Sequence, residues 1–299
     1  MSIGYACLTV GVENTKMSSC ILKNASSEHL RKLILANLCA LQNITQYNKK
    51  NNIRLFRISS DIIPFGSHPR NQILWWKEFR EELAQVGNEI KEANIRVSMH
   101  PGQYTVLNSP DSNVVERAVM DLEYHDRFLT ALGMGDSSKM ILHVGGAYGD
   151  KKNSIKRFIT NYEKLSKEIK KRLVIENDER IYNIEEVLSI SNQIDIPVVF
   201  DNLHHQIHPP TKSKSISDWI LECSKSWSDQ DGIQKVHYSQ QKPGAKPGSH
   251  SDTIELVDFM NYYNELSDPN IDIMLEVKDK NLSAVKCINE VEKQSEAII

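Results

Sequence analysis

IRVSMHPGQYTVLN, residues 95–108, joins a strand pattern to a loop at a single histidine. Residues 95–99 have strand character, and Pro101-Gly102 ends the strand immediately after His100. Gln103 and Tyr104 follow in the loop. The stretch therefore predicts a strand that delivers an imidazole at its carboxyl end, with an amide and an aromatic ring just beyond it.

A short apolar strand followed by a longer amphipathic helix recurs eight times along the chain. The predicted strands are IGYACLTV (3–10), IRLFRIS (53–59), IRVSM (95–99), KMILHV (139–144), LVIEN (173–177), PVVFD (197–201), QKVHYS (234–239) and IMLEV (273–277). Clear helical segments are SSEHLRKLILANLCALQNITQYNKK, WWKEFREELAQVGNEIKEA, NVVERAVMDLEYHDRFLTALG and SIKRFITNYEKLSKEIKKR. Strands that alternate with helices indicate a parallel sheet covered by helices, and eight units are the number that closes a barrel.

The fold prediction is an α/β protein, a single (β/α)8 TIM barrel over residues 1–299. No GxGxxG loop follows the first strand, which removes the main reason to prefer a dinucleotide-binding fold. The functional face is expected at the C-terminal ends of the strands. The longest loop, around residues 203–215, is expected on that face.

Composition narrows the class of protein. The net charge of -3 gives no global basic signature, so attraction to nucleic acid would need a local patch or bound cations. Five scattered cysteines without a CxxC pair fit reduced thiols in a cytoplasmic protein. We see no signal peptide in residues 1–16 and no run of about 18 apolar residues, so no membrane partner is expected.

Six consecutive strand ends carry an imidazole or a carboxylate. Each alone has an ordinary structural explanation, but converging acids at a barrel mouth repel one another unless cations compensate them. Two more histidines lie in the loops after strands six and seven. The set suits borderline divalent metals and exceeds what one ion needs, so two or three ions are expected, with Glu176 as the bridge. The predicted ligands are His100, His143, Glu176, Asp201, His204, His237, His250 and Glu276.

A multinuclear site of this kind favours phosphoester hydrolysis. One ion lowers the pKa of a water to produce hydroxide, and the others neutralise the attacked group and the leaving oxygen. Sugar isomerases on the same fold use a more carboxylate-rich set. Lys235 lies two residues before His237, so both side chains should point into the barrel. Lys235 is either paired with an acid such as Asp201 or Glu276, or is a neutral or modified lysine that supports the metals.

The motifs MHPGQYTVLNS, ILHVGGAYGDK, LVIENDE, VVFDNLHH, KVHYSQQ and MLEVKDK resemble those of the UV damage endonuclease family, relatives of the endonuclease IV class. The match runs in order from about residue 3 to about residue 280. The resemblance implies a TIM-barrel nuclease that nicks UV-damaged double-stranded DNA immediately 5′ to cyclobutane pyrimidine dimers and 6-4 photoproducts, leaving a 3′-hydroxyl and a 5′-phosphate. It also implies manganese or a similar ion, the metal ligands given above, and a carboxylated Lys235. Glu176, Asp201 and Lys235 are the expected catalytic residues. We expect a monomer that is cytoplasmic and nucleoid-associated when acting on DNA.

Five further residues are predicted to contact DNA. The resemblance implies that Gln103 and Tyr104 are wedged into the duplex at the lesion, which is sensible because a photodimer stacks poorly and is extruded at low cost. An ordinary rim loop is the other interpretation of this pair. Tyr5 matches a tyrosine near the family's lesion pocket. Lys242 and Lys246 lie in a loop between two predicted ligands, where phosphate contact and a solvated flexible loop both fit.

Three other functions stay open at this stage. An abasic-site endonuclease of the endonuclease IV type shares fold and ligands and differs in the recognition loops. A sugar isomerase or epimerase would turn over a free aldose. A lesion-binding protein whose metals only hold the fold would never nick DNA. Nicking assays on photodimer and abasic duplexes separate these possibilities.

Overall fold

The computed structural model describes residues 1–266, 268 and 270–298, and its eight parallel strands close into one barrel in chain order. The strands are β1 (Ile3–Ala6), β2 (Leu55–Ile58), β3 (Arg96–Met99), β4 (Met140–His143), β5 (Leu173–Glu176), β6 (Val198–Asp201), β7 (Lys235–Tyr238) and β8 (Asp272–Leu275). β1 pairs with both β2 and β8, so the sheet has no free edge. The predicted (β/α)8 architecture is confirmed.

Helices follow the strands and cover the outside of the barrel. Within the described residues they are α1 (Ser27–Lys50), α2 (Trp75–Glu78), α3 (Arg80–Glu92), α4 (Ser112–Ala131), α5 (Lys151–Glu163), α6 (Lys167–Arg172), α7 (Ile184–Ile194), α8 (Asn202–Ile207), α9 (Ile216–Ser224), α10 (Leu256–Glu265) and α11 (Asn281–Ile298). None of the helices in this part of the chain combines the length and the apolar character that crossing a membrane requires.

Sequence boundaries and structural boundaries differ for physical reasons. β1 ends at Ala6, before the predicted residue 10, because Cys7 adopts a left-handed conformation (φ 69°) that breaks the extended chain. The fourth predicted helix is two helices, since Ser166 starts α6 with a side-chain cap to the amide of Ile169. The predicted loop at 203–215 begins with α8, whose N-cap is Asp201.

Most apolar side chains pack between the strands and the surrounding helices. In α1 the buried positions Leu30, Ile34, Leu38 and Leu41 recur every three or four residues and form one face. The barrel interior holds two small apolar clusters, one of Ala6, Leu55 and Met274 and the other of Ile141, Val174 and Val199. The interior is therefore apolar at mid-height, and the polar side chains that face inward lie toward its two ends.

The N-terminal end of the barrel is closed by buried ion pairs. Arg96 Nη1 lies 2.9 Å from Asp272 Oδ2, and Lys139 pairs with Asp231. These pairs satisfy charges that would otherwise be costly to bury. The residues predicted to form the functional site lie at the opposite, C-terminal end of the barrel.

Candidate metal centre

The predicted ligands lie where the parallel strands end. His143, Glu176 and Asp201 are the last residues of β4, β5 and β6. His100 and Glu276 directly follow β3 and β8, and His237 lies inside β7. His204 belongs to α8, and His250 pairs with Gln241 in an isolated bridge beyond β7. Because the strands are parallel and in register, all of these side chains reach the same rim of the barrel.

Glu176 is the centre of the group. Its Oε1 lies 2.7 Å from His237 Nδ1 and 3.9 Å from His204 Nδ1. Its Oε2 lies 3.3 Å from His100 Nε2 and 3.7 Å from His143 Nε2. The residue is only 1% exposed. One buried carboxylate therefore faces four imidazoles from four different elements.

Three sets of possible ligands share this carboxylate, each with its ligand atoms within 4.8 Å of one another. A glutamate common to three sets has the position expected of a bridging ligand. His250 is outside these sets, with Nδ1 3.9 Å from Glu276 Oε2. The sets are His100–His143–Glu176, Glu176–Asp201–His204 and Glu176–His237–Glu276.

Buried polar atoms at the centre fit a divalent cation. Asp201 Oδ2 and His237 Nε2 are buried, and neither finds a hydrogen-bond partner among the residues that the structure describes. A buried polar atom without a partner costs about 1–3 kcal/mol. An oxygen and an imidazole nitrogen in this condition are the donors that borderline divalent metals take. These acidic and histidine clusters can therefore bind metal ions.

Burial and neighbouring charges shift the pKa values of the carboxylates and imidazoles at the site in opposite directions. Burial alone would raise the pKa of Glu176, but the imidazoles of His237 and His100 hold it well below its usual value. Burial raises the pKa of Asp201, against the effect of His204. Burial opposes a charge on His204, yet Asp201 and Glu176 together raise its pKa to about 9. Positive charge is thus stabilised at the centre of the cluster.

Main-chain and side-chain atoms of Asn177 orient two of the candidate ligands. Its carbonyl accepts a hydrogen bond from His204 Nδ1 at 2.9 Å, which leaves Nε2 as the nitrogen free to face a cation. The side-chain oxygen of Asn177 accepts a hydrogen bond from the main-chain amide of Asp201 at 2.9 Å, and its side-chain nitrogen donates to the main-chain carbonyl of Asp201 at 3.1 Å. Glu179 adds a carboxylate 3.8 Å from His204 Nε2. Neither Asn177 nor Glu179 was predicted, although both lie in the LVIENDE motif.

Arg57 is a further residue of the site that the sequence analysis missed. It lies in β2 with its guanidinium paired to Glu276 Oε1, and both side chains are nearly buried. Burial opposes the charge on Arg57, but Glu276 raises its pKa above the usual value. An arginine inside the apolar run 53–59 was the available signal. The pairing fixes one oxygen of Glu276 and leaves the other toward His250.

Lys235 is completely buried at the start of β7, one inward-facing position before His237. Its Nζ has no hydrogen-bond partner among the described residues, so the alternative of a pair with Asp201 or Glu276 does not occur. Burial, with Arg96 close by, lowers its pKa well below the usual value. Lys235 is thus a buried lysine inside the barrel whose surroundings disfavour its charged form.

Gln103 and Tyr104 lie on the rim, at the top of the loop that follows His100. Both are exposed, and Tyr104 is 70% exposed, which is unusual for an aromatic ring. The Tyr104 ring folds over Gly102, where an added Cβ would come within 2.4 Å of it. The pair therefore projects into solvent next to the candidate centre.

Tyr5 has no exposed surface, which argues against the prediction that it contacts DNA. Its ring packs edge-on to Phe56, and its hydroxyl donates to Asn48 at 2.9 Å and lies 2.8 Å from Thr9 Oγ1. The side chain is thus satisfied within the fold. In this structure Tyr5 is a packing residue beneath the rim.

The two predicted loop lysines differ in their surroundings. Lys242 Nζ lies 2.7 Å from Asp252 Oδ2, and Lys278 contacts the same carboxylate at 2.9 Å. Lys246 is exposed in the same loop, and its carbonyl accepts a hydrogen bond from the side chain of Gln241. Lys246 therefore has the more available charge, while Lys242 shares its charge with an exposed acid.

Sequence comparisons find related proteins over nearly the whole chain. The sequence model of the family described as UV-endonuclease UvdE matches residues 1–298. A UV DNA damage endonuclease of Clostridium perfringens is 47% identical over 294 residues, which cover 98% of this chain and 71% of that protein. One from Bacillus cereus is 34% identical over 272 residues, covering 90% of this chain and 85% of that protein.

Comparison with solved structures finds proteins with a similar fold. The crystal structure titled SacUVDE matches with a TM-score of 0.93 and 39% identity, covering 99% of each chain. A D-psicose 3-epimerase from Clostridium cellulolyticum matches with a TM-score of 0.53 and 14% identity over 79% of each chain. The second likeness shows only that sugar epimerases share the barrel.

Proposed function

This chain belongs to the UV-endonuclease UvdE family, and from that premise we propose that it nicks the DNA backbone immediately 5′ to UV photoproducts. Members of the family are enzymes that act on damaged DNA. The proposed substrates are cyclobutane pyrimidine dimers and 6-4 photoproducts in double-stranded DNA, and the proposed products carry a 3′-hydroxyl and a 5′-phosphate. The observation that carries the proposal is the buried Glu176 shared by three sets of metal ligands.

The proposed cofactors are two or three divalent ions, with manganese as the expected metal. His100 and His143, His204 with Asp201, and His237 with Glu276 would each hold an ion together with Glu176. His250 would complete the set from the loop beyond β7. When bound, such ions supply a water of lowered pKa and neutralise charge on the phosphate and the leaving oxygen.

The protein residues have separate roles in this proposal. Glu176 and Asp201 would hold ions and help to orient the attacking water. Arg57 would hold Glu276 through one oxygen, so that the carboxylate keeps a single orientation. Asn177 would do the same for His204 by fixing which nitrogen is protonated. Glu176 and Asp201 are buried, which strengthens the electrostatic interactions that they make.

Lys235 is proposed as a residue that supports the centre rather than a direct participant. Its complete burial without a partner is consistent with the carboxylated lysine that the family resemblance implies. Carboxylation would turn a buried amine into an anion one layer below His237. Intact-mass measurement under native conditions, compared with Lys235→Arg, tests for the added carbon dioxide.

The rim residues are proposed to recognise the lesion. The exposed ring of Tyr104 and the amide of Gln103 would fill the gap left when the damaged bases leave the stack, since an aromatic ring recovers part of the lost stacking. Lys246, and Lys242 once released from Asp252, would contact phosphates. We propose that residues 1–299 act as one domain, as a cytoplasmic monomer.

The test is a duplex with one thymine dimer, incubated with purified protein and manganese, with chelator as the control. The expected result is a single manganese-dependent nick directly 5′ to the dimer, absent on the undamaged duplex. Cleavage of only a matched abasic duplex would move the assignment to an abasic endonuclease. No cleavage of either duplex by metal-loaded protein would refute the assignment to DNA repair.

A further inference from the structure

A buried hydrogen-bond network from α4 connects to both sides of the loop that carries Gln103 and Tyr104. On the near side, Ser60 Oγ donates to the carbonyl of His100 at 2.7 Å. On the far side, Thr105 Oγ1 donates to Asp121 Oδ2 at 2.6 Å. The loop between these two anchors holds the exposed residues; Thr105 and Asp121 are buried, and Ser60 is partly buried.

The two anchors are connected within α4. His125 lies one turn after Asp121, its Nδ1 donates to the Asp121 carbonyl at 2.6 Å, and its Nε2 lies 2.9 Å from Ser60 Oγ. His125 is completely buried, while Asp121 and Thr105 are each 2% exposed. Hydrogen bonds to a buried carboxylate are among the stronger ones in proteins, about 1.5–3 kcal/mol each.

The same helix also holds the loop that follows β2. Asp121 Oδ1 accepts from Ser67 Oγ at 2.7 Å, and Tyr124 donates to the carbonyl of Ser60 at 2.7 Å. A Cβ added at Gly66 would come within 2.2 Å of the Tyr124 ring, so the two segments are in close contact. α4 is thus one rigid support for two neighbouring rim loops.

We propose that Asp121, His125, Ser60 and Thr105 form a clamp that positions Gln103 and Tyr104, and so sets the discrimination between damaged and intact DNA. The inference rests on the proposed function, because it assigns those two exposed residues to the lesion. A wedge that must enter a duplex gains from a fixed geometry, since ordering it on binding would cost affinity. The clamp residues are positioning residues, because they act only through the loop that they hold.

The test uses Thr105→Val, which keeps the side-chain shape and removes the hydroxyl. We expect kcat/KM on the thymine-dimer duplex to fall about tenfold, with most of the loss in KM. The ratio of rates on damaged and undamaged duplexes should fall with it, while bound manganese stays unchanged. Thr105→Ser restores the hydroxyl and should recover most of the loss. Ser67→Ala is the matched control, since it removes the other hydrogen bond of the same carboxylate from outside the Gln103–Tyr104 loop.

Hydrogen exchange of peptides spanning residues 100–107 gives a second, independent measurement. The Thr105 amide donates to the Gly102 carbonyl at 2.9 Å, and this turn should exchange faster in Thr105→Val than in the wild type. Equal discrimination and equal exchange in the two proteins would overturn the clamp, as would a Ser67→Ala variant that is equally impaired. If the wild type does not nick photodimers, the proposed function fails, and the clamp is then judged by the exchange alone.

Discussion

Replacing Glu176 by Gln should remove the metal centre while leaving the barrel intact. The carboxylate faces His237, His100, His143 and His204 at nitrogen–oxygen distances of 2.7, 3.3, 3.7 and 3.9 Å. Glutamine keeps the shape of the side chain but loses the negative charge common to all three ligand sets. Thermal unfolding should therefore remain cooperative. Metal content should fall, because more than one of the three ligand sets loses its shared carboxylate.

The magnitude follows from the shared role of this carboxylate. Removing a partner that only orients a ligand weakens metal binding by about 10- to 100-fold, and a ligand shared by several ions should matter more. We expect the nicking rate to fall by at least a thousandfold, or about 4 kcal/mol in the activation barrier. Loss of this size would make the variant inactive in an ordinary gel assay.

The assay combines metal analysis after gel filtration with the single-dimer nicking rate at saturating manganese. Glu222→Gln is the matched control, because that half-exposed glutamate on α9 pairs with the surface residues Lys214 and Lys225. Surface pairs contribute about 0–1 kcal/mol, so activity and metal content should be unchanged. A Glu176→Gln protein that keeps its metal and nicks within tenfold of wild type would refute the bridging role.

Three further predictions test the surroundings of the centre. Arg57→Gln leaves the buried carboxylate of Glu276 without its partner. The free energy of unfolding of the metal-free protein, measured in urea, should therefore fall by about 3 kcal/mol. Saturating manganese should recover most of this loss. Arg31→Gln, which breaks an exposed pair, should have almost no effect. Tyr104→Ala should reduce discrimination between the dimer duplex and the undamaged duplex about tenfold, with metal content unchanged. Leu221→Ala, which also truncates an exposed apolar side chain, should leave this discrimination unchanged. Equal losses in the two variants would refute the wedge. Gly4→Ala should abolish soluble expression or cost more than about 3 kcal/mol, because its Cβ would lie 1.9 Å from a main-chain oxygen of β2; normal stability would contradict the close approach.

The position of the candidate ligands at one rim could be predicted from sequence because two simple periodicities determine where their side chains lie. Alternation along each strand points every second side chain inward, and parallel pairing brings all carboxyl ends to one rim. His143, Glu176 and Asp201 needed nothing more than their place at the ends of their strands. The same alternation placed Lys235 inside the barrel together with His237. The pattern predicted the placement of a side chain wherever that placement depends on its own strand.

Residues whose role depends on a distant partner could not be predicted in this way. Tyr5 is satisfied by Asn48, which lies 43 positions away on α1, so a short motif match could not reveal its burial. Asp121 and His125 contact the loop after β2, in the preceding βα unit, as well as the loop that leads into their own helix. Hydroxyl groups such as that of Thr105 carry no sequence period. Arg57 was visible as a charge in an apolar strand, but its partner Glu276, which follows β8, comes close only because β8 closes the barrel against β1.

The charge balance of the centre relates the number of bound ions to the chemical state of Lys235. With neutral imidazoles, Glu176, Asp201 and Glu276 contribute three negative charges, and Arg57 already compensates one of them. Two divalent ions would then leave a net charge of about plus two facing the phosphodiester, and a third would raise it to about plus four. An anion on Lys235 would offset part of that excess from below. Carboxylation of Lys235 and occupancy by a third ion should therefore favour each other, because each reduces the electrostatic cost of the other.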